Sequence, residues 1–195
     1  MNIGIDLDGV LFDTESYFRT FATYCNTEFF KSEEVNKEEL YFQKRYNWTE
    51  EQQAIFYDKC YQYIEKEAPI MPYAKMILEK LKEQGHKLFV ITSRGNYFDD
   101  EIEITEKRFK DENLVFDGYY FSSKNKAETC KEANIDVMID DLYENIEKVS
   151  SAGIKCLYFR DLVLKQFDEN NKLIHEVRNW GDIYKEITCF DEWKL

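Results

Sequence analysis

Residues 87–92, KLFVIT, carry their apolar side chains on consecutive positions rather than alternate ones. A strand written this way has both faces covered, which points to a parallel sheet between layers of helix. Segments of the same kind recur along the chain: NIGID at 2–6, YYF at 119–121 behind Gly118, IDVMI at 135–139 and IKCLYF at 154–159. Helical spacing fills the intervals. Ala74, Ile77, Leu78 and Leu81 mark a helix stopped by Gly85, another opens near Asn125, and a third covers about 143–151. Strand and helix in alternation predict an α/β fold with right-handed crossovers. Residues 160–178 are less regular. DENNK reads as a turn between two short extended pieces, and WGDIYKEI as a last helix.

One stretch breaks the alternation. Between Asp13 and Pro69 the apolar residues follow helical spacing, as in Phe18, Phe21, Ala22 and Cys25, then Tyr57, Cys60, Tyr61 and Ile64. Residues 14–63 hold 14 of the chain's 32 aromatics, so this stretch differs in make-up from the rest. The only prolines, Pro69 and Pro72, mark its end. The expected organisation is a core of residues 1–13 and 73–195 interrupted by a small all-helical insertion, 14–72.

Composition excludes several classes of function. A formal charge of −13 argues against binding a nucleic-acid polymer, whose affinity comes largely from Lys and Arg. A small anion needs only local positive charge, from a few basic side chains or a metal ion held by acids. The five cysteines are odd in number and widely spaced, without a C-x-x-C, and there are two histidines, which speaks against a zinc site or a disulfide framework. No segment approaches the roughly 18–20 consecutive apolar residues of a membrane helix. With no signal-peptide pattern at the N-terminus, the expected compartment is the cytoplasm.

In open parallel sheets, ligands bind beyond the carboxyl ends of the strands. Those ends carry Asp6-Leu7-Asp8-Gly9 after the first strand, Thr92-Ser93-Arg94 after the second, Lys124 and Lys126 on the helix after the third, and Asp140-Asp141 after the fourth. Singly, each has a plain structural reading as a strand end, a helix cap, a turn residue or a solvated lysine. Together they would crowd Asp6, Asp140 and Asp141 on one rim, where they repel unless a cation sits among them. An oxygen-only ligand set suits Mg²⁺.

The set resembles a known family. D-x-D-G-V after the first strand, a Thr ending the second, a Lys opening a later helix and an acidic pair 14 residues beyond Lys126 are similar to the four motifs of the haloacid dehalogenase superfamily. They occur in order and span essentially the whole chain. The resemblance implies a Rossmann-like core with a central parallel sheet, and a helical cap inserted after the first motif. The stretch ITSRGNYFDDEIEITEKRFK and the size of the insertion look most like the 5'-nucleotidase branch that includes the pyrimidine deoxyribonucleotidases. One departure stands out. That branch carries an aromatic just after D-x-D-G-V-L-x-D to pack against the base, and this chain has Thr14 there; Phe12 and Phe18 are the candidates to replace it.

The resemblance also implies roles. Asp6 attacks phosphorus to form an aspartyl phosphate, and Asp8 protonates the leaving alkoxide and then deprotonates water. Alternation along a strand would put Asp6 and Asp8 on one face. Mg²⁺ would be held by the Asp6 carboxylate, the Asp8 main-chain carbonyl and Asp141, with Asp140 behind them; the residues themselves do not separate Asp140 from Asp141. The Thr92 hydroxyl, the Ser93 amide and the Lys126 ammonium would grip the phosphate, with Lys124 the competing lysine. Arg94 is open between a second phosphate, a sugar and a surface role.

The expected activity is hydrolysis of a small phosphomonoester, a nucleoside monophosphate first. A sugar phosphate, as phosphatase or mutase substrate, is the alternative. A receiver-type signalling domain places its acidic pair on the first strand and its Thr and Lys later than the accepting Asp, an order this chain does not follow. A catalytically idle binding module is the other non-enzymatic reading, and intact Asp6 and Asp8 speak against it. The oligomeric state is not legible.

Overall fold

The structure, a computed structural model, describes residues 1–39, 41–160 and 170–193. The chain divides into two compact units, Met1–Phe12 with Ile70–Leu195, and Asp13–Pro69.

The first unit begins with β1 (Asn2–Ile5) and a tight turn in which the amides of Val10, Leu11 and Phe12 all point at the Leu7 carbonyl. The second unit is helical. It comprises α1 (Thr14–Cys25), which runs on as a π-helical turn Asn26–Phe30, then α2 (Phe42–Arg45), α3 (Glu50–Phe56), a π-helical turn Tyr57–Tyr61, and α4 (Gln62–Glu67). Asp13 caps α1 by accepting from the Ser16 amide, and Thr49 with Gln52 forms a capping box on α3. The aromatics of this stretch largely pack on one another: Phe18, Phe42, Trp48 and Phe56 are buried in one cluster with Ala22, Cys25 and Ile64.

The chain then returns to the first unit. Ile70 bridges Phe12 and the Met71 amide donates to Leu11, so these two residues, expected in the insertion, pair with the segment after β1. There follow α5 (Ala74–Glu83), β2 (Lys87–Ile91), α6 (Glu101–Asp111), β3 (Gly118–Tyr120), α7 (Lys126–Glu132), β4 (Val137–Asp140), α8 (Tyr143–Ser151), β5 (Lys155–Phe159), β6 (Ile174–Val177) and α9 (Trp180–Thr188). The six strands form one parallel sheet in the order β3-β2-β1-β4-β5-β6. The second extended piece expected in 160–178 is β6; the first falls on residues outside those described.

Strand alternation sorts the core into two layers. Ile3, Ile5, Leu88, Val90, Val137 and Ile139 face one side, with Ile77 and Leu81 of α5 and Ile183 of α9. Ile91, Met138, Cys156 and Tyr158 face the other, with Cys130 of α7 and Ile146 and Val149 of α8. Gly4 belongs to this second face. A Cβ there would come within 2.8 Å of Met138 Sδ and 3.0 Å of Ile91 Cδ1, so the missing side chain is what lets β1 lie under these neighbours. No helix among the described residues is long and apolar enough to cross a membrane.

Candidate active site

The strand order reverses direction between β1 and β4, and the ligand crevice of an open parallel sheet lies at that point. The Asp6 amide donates to the Ile139 carbonyl at 3.0 Å, carrying the β1–β4 ladder one step past the end of β1. Asp6 follows the alternation of Gly4 and Asp140 that of Met138, so both carboxylates emerge on the α7–α8 side of the sheet. There α7 delivers Lys126 from its first turn. Its Nζ lies 2.6 Å from Asp6 Oδ2 and 2.6 Å from Asp140 Oδ2, and all three side chains are buried.

Every oxygen of this pair is engaged. Asp6 Oδ1 accepts from the Leu7 amide at 2.8 Å. Asp140 Oδ1 accepts from the Leu142 amide at 2.9 Å, and Asn145 Nδ2 reaches both Asp140 oxygens at 3.2 Å. Burial pushes the Asp6 carboxyl up to about 7; Lys126 opposes the rise, and the charges of Asp140 and Asp8 add to it. For Lys126, burial works against the charge, but Asp140 and Asp6 outweigh it and hold the ammonium above its ordinary value.

Asp141 completes the acidic group. Carboxylate oxygens of Asp6, Asp140 and Asp141 lie within 4.8 Å of one another. Gly9 makes the room: its φ is +71°, and a Cβ there would overlap the Asp141 carboxylate. Three hard carboxylates gathered this closely fit a divalent cation of the Mg²⁺ type, since like charges at this spacing repel without a cation among them.

The Thr92 and Ser93 end of β2 borders β1 through the Ile5–Val90 register. Thr92 is buried, with its carbonyl accepting from Ser123 and its hydroxyl from the Arg94 amide at 3.2 Å. Ser93 lines an open cleft of about 360 Å³ with Tyr97, Lys126 and Asn145. Lys124 is exposed on the rim of the same cleft, whereas Lys126 is the lysine held between carboxylates.

Asp8 departs from the expected arrangement. β1 ends at Ile5, so strand alternation does not extend to Asp8, which sits in the turn before Gly9. Its carboxylate is gripped by Arg94, Nη2 to Oδ1 at 2.6 Å and Nε to Oδ2 at 3.0 Å. Of the three roles left open for Arg94, a second phosphate, a sugar and the surface, the last is removed, since the residue is fully buried. Phe12 and Phe18 also differ from expectation. Phe12 is buried beneath the guanidinium groups of Arg94 and Arg108, and Phe18 is buried among other aromatics, so neither ring offers a face to a base. Sequence reasoning missed Asn145 as well. Its signal was its place five residues past Asp140, on the first turn of α8.

A family model for haloacid dehalogenase-like hydrolases matches residues 3–159. The chain belongs to that family. Among curated relatives, this haloacid dehalogenase-like hydrolase is 31% identical over 183 residues to YqfW of Bacillus subtilis, provisionally named a nucleotidase, covering 92% of this chain and 90% of the relative. It is 27% identical over 187 residues to a Clostridium acetobutylicum protein named a nucleotidase, covering 94% and 92%. Among solved structures, a haloacid dehalogenase-like family hydrolase from Streptococcus pneumoniae superposes with a TM-score of 0.64 at 17% identity, covering 95% and 97%.

Proposed function

We propose that this haloacid dehalogenase-like hydrolase is a magnesium-dependent phosphomonoesterase acting on nucleoside monophosphates through a phosphorylated Asp6. The observation that carries this reading is the convergence of Asp6, Asp140, Asp141 and Lys126 at the carboxyl ends of β1 and β4. Nucleotide as the substrate class draws its support from the names of the two bacterial relatives.

The chain's residues divide the work. An Asp6 oxygen attacks phosphorus, so that a phosphorus–oxygen bond forms to Asp6 as the bond to the leaving oxygen breaks. Asp8, protonated from solvent on an oxygen that substrate frees from Arg94, gives that proton to the leaving oxygen. Water then attacks the same phosphorus, Asp8 takes a proton from it, and Asp6 is released with inorganic phosphate. The Thr92 hydroxyl, the Ser93 amide and the Lys126 ammonium bind the phosphoryl oxygens and stabilise their charge where water is displaced. Bound Mg²⁺ supplies further neutralisation of the phosphoryl charge. The Asp6 carboxylate, the Asp8 carbonyl and Asp141 would hold it. Asp140, whose oxygens already accept from Lys126, Leu142 and Asn145, orients the lysine instead.

The helical unit, Asp13–Pro69, is in this reading the cap domain that the family resemblance implies. The test is a phosphate-release screen over nucleoside, deoxynucleoside and sugar monophosphates, with Mg²⁺ and with chelator. Turnover of a nucleotide that chelator abolishes is expected. Sugar phosphates turning over far better than every nucleotide would remove the nucleotide assignment, and turnover indifferent to chelator would remove the metal.

A further inference from the structure

We propose that Arg94 is a positioning residue that sets the Asp8 carboxylate for proton transfer and keeps it apart from the metal-binding acids. The inference rests on the phosphomonoesterase reading and adds to it a role for a residue that the sequence leaves open between a second phosphate, a sugar and the surface.

The pairing is two-pronged, with Nη2 2.6 Å from Asp8 Oδ1 and Nε 3.0 Å from Oδ2. Two parallel charge-assisted bonds fix the plane of a carboxylate as well as its position. The guanidinium is itself held. Arg94 Nη1 donates to Thr105 Oγ1 at 3.1 Å and Cζ lies 5.2 Å from the centre of the Phe12 ring, while the residue's backbone is tied to β2 by its amide, which donates to Thr92 Oγ1 at 3.2 Å. Thr105 in turn donates to the Glu101 carbonyl at 2.8 Å within α6. The orientation of Asp8 is thus inherited from β2 and α6, two regular elements, although Asp8 lies on a turn.

Exposure matches the assignment. The Arg94 side chain is fully buried and that of Asp8 is 26% exposed, so the arginine grips from inside while the carboxylate remains reachable from solvent. The arrangement also sorts the acids of the rim. Asp6, Asp140 and Asp141 cluster, whereas the Asp8 carboxylate is turned to Arg94. A group that carries a proton to a leaving oxygen needs that placement, because misplacement by about 1 Å can cost 10²-fold in rate.

Leaving-group dependence separates positioning from mere scaffolding. An aryl ester such as p-nitrophenyl phosphate expels a stable phenolate and needs little help from an acid, whereas an alkyl ester needs a proton. In wild-type protein, Arg94→Met, Asp8→Asn and the double variant, kcat and KM are measured with p-nitrophenyl phosphate and with the nucleoside monophosphate the wild type turns over best. Arg94→Met is expected to lower kcat on the alkyl ester by about 10² and on the aryl ester far less, with KM little changed, and to add nothing in the Asp8→Asn background. Thr105→Val, which keeps Arg94 and removes its Nη1 partner, is expected to show the same selectivity more weakly and covers the case in which Arg94→Met does not fold. Equal losses on both esters, a loss confined to KM, or a further loss in the Asp8→Asn background would overturn the proposal. A wild type that hydrolyses neither ester would instead overturn the phosphomonoesterase reading, and this inference with it.

Discussion

Gly9 and Asp141 occupy space that a single Cβ would deny them: built on Gly9, it would overlap the Asp141 carboxylate and come within 2.6 Å of its Cγ. The glycine also holds a φ of +71°, where an L side chain is strained. Gly9→Ala is expected to cost at least about 1–2 kcal/mol of stability and to lower phosphate release sharply by displacing Asp141. Urea unfolding and a turnover assay check this together. Wild-type turnover in a folded Gly9→Ala protein would show that Asp141 has no need of its present place.

Lys126 neutralises two buried carboxylates at once, and breaking a buried pair costs more than the pair gains, commonly about 3–5 kcal/mol. Lys126→Met should fall in that range in denaturant melts, since Asp6 and Asp140 then face each other without the ammonium. Lys124→Met, at an exposed position, should leave stability within about 0.5 kcal/mol of wild type. Similar losses in both variants would contradict the assignment of Lys126 to the carboxylates.

A cation that binds the folded protein alone stabilises it by mass action, by about 2.7 kcal/mol when present at 100 times its dissociation constant. Mg²⁺ should therefore raise the thermal midpoint of the wild type, and chelator should reverse the rise. Asp141→Asn should lose most of the effect, because Asp141 is one of the two side chains proposed to hold the ion. An equal rise in wild type and Asp141→Asn would place the ion elsewhere.

Thiol chemistry offers a check on the packing. Burial pushes the Cys60 and Cys130 thiols up to about 12, and burial also raises Cys156. A raised thiol pKa keeps the group protonated and unreactive at neutral pH. Cys189, only half-buried, should react first with Ellman's reagent, and the others only as fast as the protein opens. Peptide mass spectrometry after timed labelling reads the order. Rapid modification of Cys130 or Cys156 in the folded protein would contradict the packing around them.

The sheet was legible in the sequence because strands covered on both faces write consecutive apolar runs, as in 87–92 and 135–139. The edge strand β6 was harder to read. Its IHEV buries only Ile174 and Val177, and such half-covered segments resemble loops. Asp6, Asp140, Asp141 and Lys126 were legible as strand-end and helix-start residues with fixed spacing. The partner of Arg94 was not, since the sequence leaves that residue open between a second phosphate, a sugar and the surface, and only the fold brings it to a carboxylate 86 positions away in the chain. Phe12 misled for a related reason: its ring lies beneath two arginines that no local pattern places there.

The most direct measurement looks for phosphate on Asp6 itself. Protein mixed with Mg²⁺ and a nucleoside monophosphate is quenched in acid during turnover and reduced with borohydride, which converts an acyl phosphate to the alcohol, and the N-terminal peptide is then sequenced by mass spectrometry. Substrate-dependent conversion of Asp6 to homoserine is expected, with Asp8 unmodified and with Asp6→Asn inactive. Undiminished turnover by Asp6→Asn, or conversion at Asp8 in place of Asp6, would contradict covalent catalysis at the end of β1.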